Sequence, residues 1–135
     1  MIDLMRDPHR PSYHFAAPSD WMNDPNGLIQ WDGRYHLFYQ YWPGMLTDAL
    51  PPGLKEARAH WAHAASDDLV HWEHLPIALA PKPGGGDQDG CASGCMVDHN
   101  GVPTAVYTGF HPQVQCIARG SADLVTWTKH PGNPV

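Results

Sequence analysis

The chain has 135 residues, enough for one domain with its own core, and 42% hydrophobic against 16% charged residues marks a globular sequence rather than a disordered or fibrous one. A formal net charge of −6 without any basic cluster excludes electrostatic attachment to nucleic acid or to an anionic membrane surface as the organising function. No stretch approaches the roughly 18 apolar residues of a membrane span, and the opening MIDLMRDPHRPSYHF is not a secretory signal, so the chain as written reads as cytoplasmic, with a missing upstream segment required to make it extracellular.

Thirteen glycines and fourteen prolines fall between short aromatic or β-branched runs, which is the punctuation of many turns and short strands. In chain order, residues 21–27 form a turn-rich run that leads into a first strand, 28–31. Asp32-Gly33 joins this strand to a second, 35–41, as a hairpin. The alternation along 35–41 assigns one face to a core and leaves the other to line a cavity. Residues 54–65 are the one mildly helical stretch, short enough to be a loop with a turn or two. Gly84-Gly85-Gly86 lacks the Lys-Ser/Thr ending of a phosphate loop and reads as a flexible loop. A second hairpin follows, with residues 94–97 and 103–108 flanking the turn Asp98-His99-Asn100-Gly101.

A repeat organises these elements. Ser66-Asp67-Asp68-Leu69-Val70-His71-Trp72 returns as Ser121-Ala122-Asp123-Leu124-Val125-Thr126-Trp127, matching at five of seven positions at an offset of 55 residues. A strand, a turn holding Asp-Leu and a tryptophan that plugs the gap between successive sheets would recur in this way once per blade of a β-propeller. Closure takes at least about four blades, and this chain supplies two to three, so missing downstream sequence or marginal stability in isolation is expected.

Cys91, Cys95 and Cys116 are an odd set and read as reduced, partly buried thiols rather than a disulfide scaffold. They lack the paired two-residue spacing of a structural zinc site. His60 and His63 flank Trp61 without the helix-borne spacing of a zinc enzyme, so they are assigned to hydrogen bonding or packing. Neither metal nor cofactor is expected.

Within Trp21-Met22-Asn23-Asp24-Pro25-Asn26-Gly27, Pro25 biases Asp24 toward an extended or turn conformation and Asn26-Gly27 accommodates positive φ. That geometry suits a carboxylate aimed at a ligand from the inner end of a strand, and equally an Asx-type turn in which Asp24 caps its own backbone. The neighbourhood is rich in aromatics, including Trp21, Tyr35, Tyr39, Trp42 and Trp61, with Asn23, Gln40, His60, His63 and Ser93 as neutral hydrogen-bonding groups. Aromatic faces combined with amides, hydroxyls and a carboxylate are the chemistry of a sugar site.

The ordered motifs WMNDPNG (21–27), FYQY (38–41), HWAHAASDDLVHWEHLPIAL (60–79), DGCASG (89–94) and YTG (107–109) resemble the opening of glycoside hydrolase family 32, the invertases, levanases and inulinases. The resemblance covers residues 14–135, preceded by a lead-in over 1–13, and implies an all-β fold, the first two to three blades of a five-bladed β-propeller. It implies a retaining hydrolase of β-fructofuranosyl bonds, acting on sucrose or fructans. Asp24 matches the nucleophile, and Asn23, Gln40 and Ser93 match residues that hydrogen-bond the fructosyl unit. Trp61, in the matching HWAHA segment, is placed with the substrate-binding residues as part of the wall, without a direct contact assigned.

A retaining glycosidase needs a second carboxyl about 5 to 5.5 Å from the first. The family takes its acid/base from a Glu-Cys motif and a stabilising aspartate from an Arg-Asp-Pro motif, both downstream of the segment that here ends PGNPV. The glutamates present, Glu56 and Glu73, sit in neither motif, and Glu73 reads as a solvated blade edge. The isolated chain is therefore expected to be inactive. The competing reading is a noncatalytic sugar-binding or degenerate propeller protein. Three positions depart from the family pattern: Trp42 before proline in place of asparagine, Ala62 in place of glycine, and Ala92 in place of an aromatic before Ser93.

Overall fold

The computed structural model describes residues 7–45, 58–110 and 112–135. Eight strands follow in order: β1 (Trp21–Trp31), β2 (Arg34–Trp42), β3 (His60–Ser66), β4 (Glu73–Leu79), β5 (Cys91–His99), β6 (Val102–Gly109), β7 (Val114–Gly120) and β8 (Trp127–Lys129). Each pairs antiparallel with its sequence neighbour, giving two four-stranded sheets, β1-β2-β3-β4 and β5-β6-β7-β8. The first strands of the two sheets, β1 and β5, lie against each other. Two such meanders side by side are two propeller blades.

Both predicted hairpins form, and local chemistry explains them. Asp32 (φ 48) and Gly33 (φ 80) both take positive φ, the signature of the tight turn whose twist matches its flanking strands. Asn100 (φ 54) and Gly101 (φ 79) repeat the device between β5 and β6, where the Asp98 carboxylate accepts the Gly101 N–H at 2.6 Å.

The repeated heptapeptide connects the third and fourth strands of each blade. In the first copy Ser66 Oγ accepts the Leu69 N–H at 2.8 Å and Asp68 Oδ1 accepts the N–H groups of Val70 and His71. In the second, Asp123 Oδ1 accepts the Val125 N–H at 3.1 Å and Ser121 Oγ that of Thr126 at 2.9 Å. Leu69 (φ 65) and Leu124 (φ 60) are both left-handed, and each leucine carbonyl accepts the indole N–H of the tryptophan three residues on. Trp127 fills the gap between the sheets, its ring edge-on to Phe38 of β2 at 5.5 Å. Trp72 lies against Phe15 on the opposite face of the first blade.

Side-chain alternation along β2 divides the core. Phe38 points to the second blade and packs with Trp61, Leu79, Met96 and Tyr107 between the sheets. Leu37, Tyr39 and Tyr41 point the other way, into a second cluster with Ala17 and Ala62. Both faces of 36–41 are thus buried, and the expected cavity-lining face is core instead, because the blade is sandwiched between two packed layers. Hydrogen bonds also tie the blades together: Trp31 Nε1–H to the Ala122 carbonyl and Cys91 N–H to the Ala59 carbonyl, each at 2.8 Å.

Three local expectations are corrected. The helical composition of 54–65 does not produce a helix over its described part: β3 occupies His60–Ser66, and 54–57 lie outside the described residues. Every residue of β3 is buried, and the small side chains of Ala62, Ala64 and Ala65 fit a central strand covered on both faces, so packing overrides alanine's helical preference. The run 21–27 is not a turn before the strand but its first half, since β1 is continuous from Trp21 to Trp31 and absorbs the irregular residues as bulges. The glycine run 84–86 is a built turn rather than a flexible loop: Gly85 N–H bonds the Lys82 carbonyl, Gln88 N–H the Gly85 carbonyl, and Gly90 N–H the Asp87 carbonyl. Of the three free cysteines, Cys91 and Cys116 are buried whereas Cys95 is exposed.

Candidate functional site

Two bulges, one in the first strand of each blade, create the site. On β1, Met22 pairs with Tyr41 and Pro25 with Tyr39, so Asn23 and Asp24 stand in a stretch where three steps match two on β2. On β5, Cys91 pairs with Gly109 and Gly94 with Tyr107, which puts Ala92 and Ser93 in an equivalent bulge. Pro25 has no N–H for a ladder bond, a chemical reason for the break on β1. Gly94 lets β5 close onto β6 immediately after Ser93, because a Cβ there would come within 2.1 Å of the Val106 carbonyl oxygen.

The bulges face each other, and the Ser93 hydroxyl donates to Asp24 Oδ2 at 2.9 Å. Asn23 and Asp24 are exposed and Ser93 is half-buried, so the carboxylate is open to an incoming ligand. The Asp24 backbone carbonyl accepts the side-chain N–H of Asn26 at 3.1 Å. The amide of Asn26 is buried, and its Oδ1 has no hydrogen-bond partner among the described residues. Of the Asn26-Gly27 pair only Gly27 takes the positive φ expected of a tight turn, and Asn26 instead pins the bulge beneath Asp24.

Gln40 and Trp61 lie behind these two residues. Gln40, 4% exposed, donates from Nε2 to the Cys91 carbonyl at 3.0 Å, and Trp61, fully buried, donates from Nε1 to the Ala92 carbonyl at 2.9 Å. Side chains of the first blade thereby hold the backbone that carries Ser93 in the second. Asp24 and Ser93 meet at an open surface and Asn23 stands exposed beside Asp24 in the same bulge, whereas Trp61 offers no free face to a ligand. Glu73 is not beside them: it starts β4, pairs with Ala65 and binds Arg34 at 3.0 Å on the solvated edge of the blade. Glu56 lies outside the described residues.

Buried histidines surround the scaffold rather than the opening. His60 Nδ1–H donates to the Arg58 carbonyl at 2.7 Å, and burial lowers its pKa, keeping it neutral. His63 stacks on Phe38 at 4.1 Å and meets His36 at 2.9 Å. Burial, then the neighbouring His36 and Arg34, push His63 down to about 3. Among the described residues no group of three or more His, Cys, Asp or Glu is gathered to hold a metal ion.

A second polar cluster was not singled out from sequence. Asp87, 2% exposed, accepts the Tyr107 hydroxyl at 2.7 Å and the Cys91 thiol at 3.4 Å on Oδ2, where the Lys129 ammonium also binds it. Burial alone would raise the Asp87 pKa, but the hydrogen bonds from Lys129 and Tyr107 outweigh it and leave the carboxyl below its usual range. The preceding glycines give no hint of this. Gly109 makes the room, since a Cβ there would meet the Gly86 carbonyl oxygen at 2.1 Å.

Residues 14–135 match the model of the glycosyl hydrolases family 32 N-terminal domain. The chain is 54% identical over 99 residues to a sucrose-6-phosphate hydrolase of Zymomonas mobilis, covering 73% of this chain and 18% of that protein. It is 44% identical over 139 residues to a levanase of Bacillus subtilis, covering 94% of this chain and 19% of that protein. Among solved structures, fructan 1-exohydrolase IIa from Cichorium intybus superposes with a TM-score of 0.78 at 39% identity, covering 95% of this chain and 24% of that one. The chain thus spans about a fifth of the length of these curated relatives.

Proposed function

The chain belongs to glycosyl hydrolases family 32, its two sheets being blades of that family's five-bladed propeller, and from this premise we propose that the complete protein hydrolyses β-fructofuranosyl bonds in sucrose or fructans with retention of configuration. The observation that carries this reading is the exposed Asp24 carboxylate, raised on a bulge and held by the Ser93 hydroxyl at 2.9 Å. Asp24 attacks the anomeric carbon of the fructosyl unit and the bond to the leaving oxygen breaks, leaving a fructosyl ester on the aspartate. Water then attacks that carbon and releases fructose. Asn23 and Ser93 hydrogen-bond fructosyl hydroxyls at the opening, while Gln40 and Trp61 act from behind by fixing the carbonyls of Cys91 and Ala92.

Departure of the leaving oxygen needs a proton from a second carboxyl close to Asp24. Among the described residues Glu73 is committed elsewhere, paired with Ala65 and bound to Arg34 on the solvated edge of the blade, and the 135 residues by themselves are expected to release essentially no fructose. The competing reading is a sugar-binding propeller without catalysis. One experiment separates them: sucrose hydrolysis by the complete protein and by its Asp24→Asn variant. Turnover that falls by several orders of magnitude on substitution, with sucrose still bound, supports the hydrolase. Sucrose binding without any turnover in the unsubstituted protein supports the binder, and turnover that survives the substitution removes Asp24 from the mechanism.

A further inference from the structure

We propose that Asp87 is a positioning residue of the fructosyl site, acting through Cys91 to hold the bulge that presents Ser93 to Asp24; this rests on the reading of Asp24 as nucleophile. Asp87 Oδ2 accepts from Tyr107, Cys91 and Lys129, and Oδ1 accepts the Lys82 backbone N–H at 3.2 Å. These donors come from β6, β5, β8 and the connection preceding β5. One buried carboxylate therefore ties three strands of the second blade to the segment that enters it. Stability alone is a poor account of such a group, because the desolvation of a buried ion pair cancels much of its attraction and apolar residues would pack as well.

Its location gives the better account. Cys91 is the last regular pair before the bulge and stands two residues from Ser93. In a bulge the ladder no longer fixes the backbone, so other contacts must. The first blade holds Cys91 and Ala92 through Ala59, Gln40 and Trp61; Asp87 holds the Cys91 side chain from within the second blade. Ser93 is thus aimed at Asp24 by restraints from both sides.

The test is a set of cycles in the complete protein, joining Asp87→Asn or Cys91→Ala with Ser93→Ala, read as kcat and KM for sucrose. Asp87→Asn and Cys91→Ala each lower kcat by about tenfold to 10²-fold, the scale of a misplaced group, with a smaller change in KM. In a Ser93→Ala background each costs no more than roughly twofold, because the group they position is already gone. Cys91→Ser, which keeps a donor toward Asp87, restores most of kcat. Equal losses in both backgrounds would mean that Asp87 only supports the fold, and would overturn the proposal. If Asp87→Asn fails to fold, the Cys91 cycle decides the same question. A crystal structure of Cys91→Ala decides it without turnover: Ser93 Oγ moves beyond about 3.5 Å from Asp24, outside hydrogen-bond range, and an unchanged contact would refute the idea. Turnover that persists in Asp24→Asn would instead sink the nucleophile assignment, while that structure still tells whether Asp87 sets Ser93.

Discussion

Gly27 makes no contact with a ligand in this account, yet Gly27→Ala should damage both stability and catalysis. Its φ is +59, and an added Cβ would stand 2.8 Å from Cζ3 of Trp61 and 3.1 Å from Cδ2 of Phe38. Neither ring is free to yield. Both are fully buried, Phe38 is stacked on His63, and the Trp61 N–H is committed to the Ala92 carbonyl. A left-handed backbone costs an L-residue about 1–2 kcal/mol, and a methyl forced into a packed core about 1–3 kcal/mol, so the expected destabilisation is about 2–5 kcal/mol. That is a large part of a typical stability of about 5–15 kcal/mol. Urea unfolding of the complete protein gives the loss directly as a lower midpoint at constant slope. Displacement of Trp61 also releases Ala92 beside Ser93, so fructose release should fall under conditions where the variant remains folded. A loss below about 0.5 kcal/mol, the range of a neutral surface change, with normal fructose release would refute the packing argument.

The two repeats offer an internal control, because Leu69 and Leu124 share a left-handed conformation but not an environment. Leu69 is 55% exposed, so Leu69→Gly should relieve strain and stabilise by about 0.5–1 kcal/mol, whereas Leu124 is fully buried and Leu124→Gly should cost about 2–3 kcal/mol of packing; thermal midpoints moving in the same direction would contradict this. His63 gives the acid limb of stability a cause. Its folded pKa of about 3 lies below the ordinary 6.5, so between those values only the unfolded chain takes up the proton; its contribution is complete above 6.5 and is lost as pH falls, by about 2 kcal/mol at about pH 5. His63→Leu should flatten the urea midpoint against pH in that window, and an unchanged slope would locate the acid sensitivity elsewhere.

What could be read from the sequence was whatever local chemistry determines. Asp32-Gly33 and Asn100-Gly101 dictate their turns by backbone preference alone, and the Ser-x-Asp-Leu-x-x-Trp repeat closes its hydrogen bonds within itself. The bulges were hidden because a bulge is a property of pairing, visible only once Pro25 is set against Tyr39 and Gly94 against Tyr107. The described end of the mildly helical stretch 54–65 misleads for a related reason, its alanine-rich composition suiting a helix until two packed layers enclose it as β3. Gln40 and Trp61 were found by resemblance, but their manner of acting, through the carbonyls of Cys91 and Ala92, is set by contacts 51 and 31 residues away in sequence. Asp87 left no sequence signal, since nothing beside it in the chain announces Tyr107 or Lys129.

The claim at the centre of this account is that Asp24 becomes covalently attached to fructose during turnover. Rapid acid quenching of the complete protein with sucrose, followed by proteolysis and mass spectrometry of the peptide containing Asp24, tests it most directly. The account predicts a fructosyl ester on Asp24 that forms within a turnover and disappears when the substrate is spent. Sustained fructose release with the label on another residue, or with no covalent species and inversion at the anomeric carbon, would contradict it.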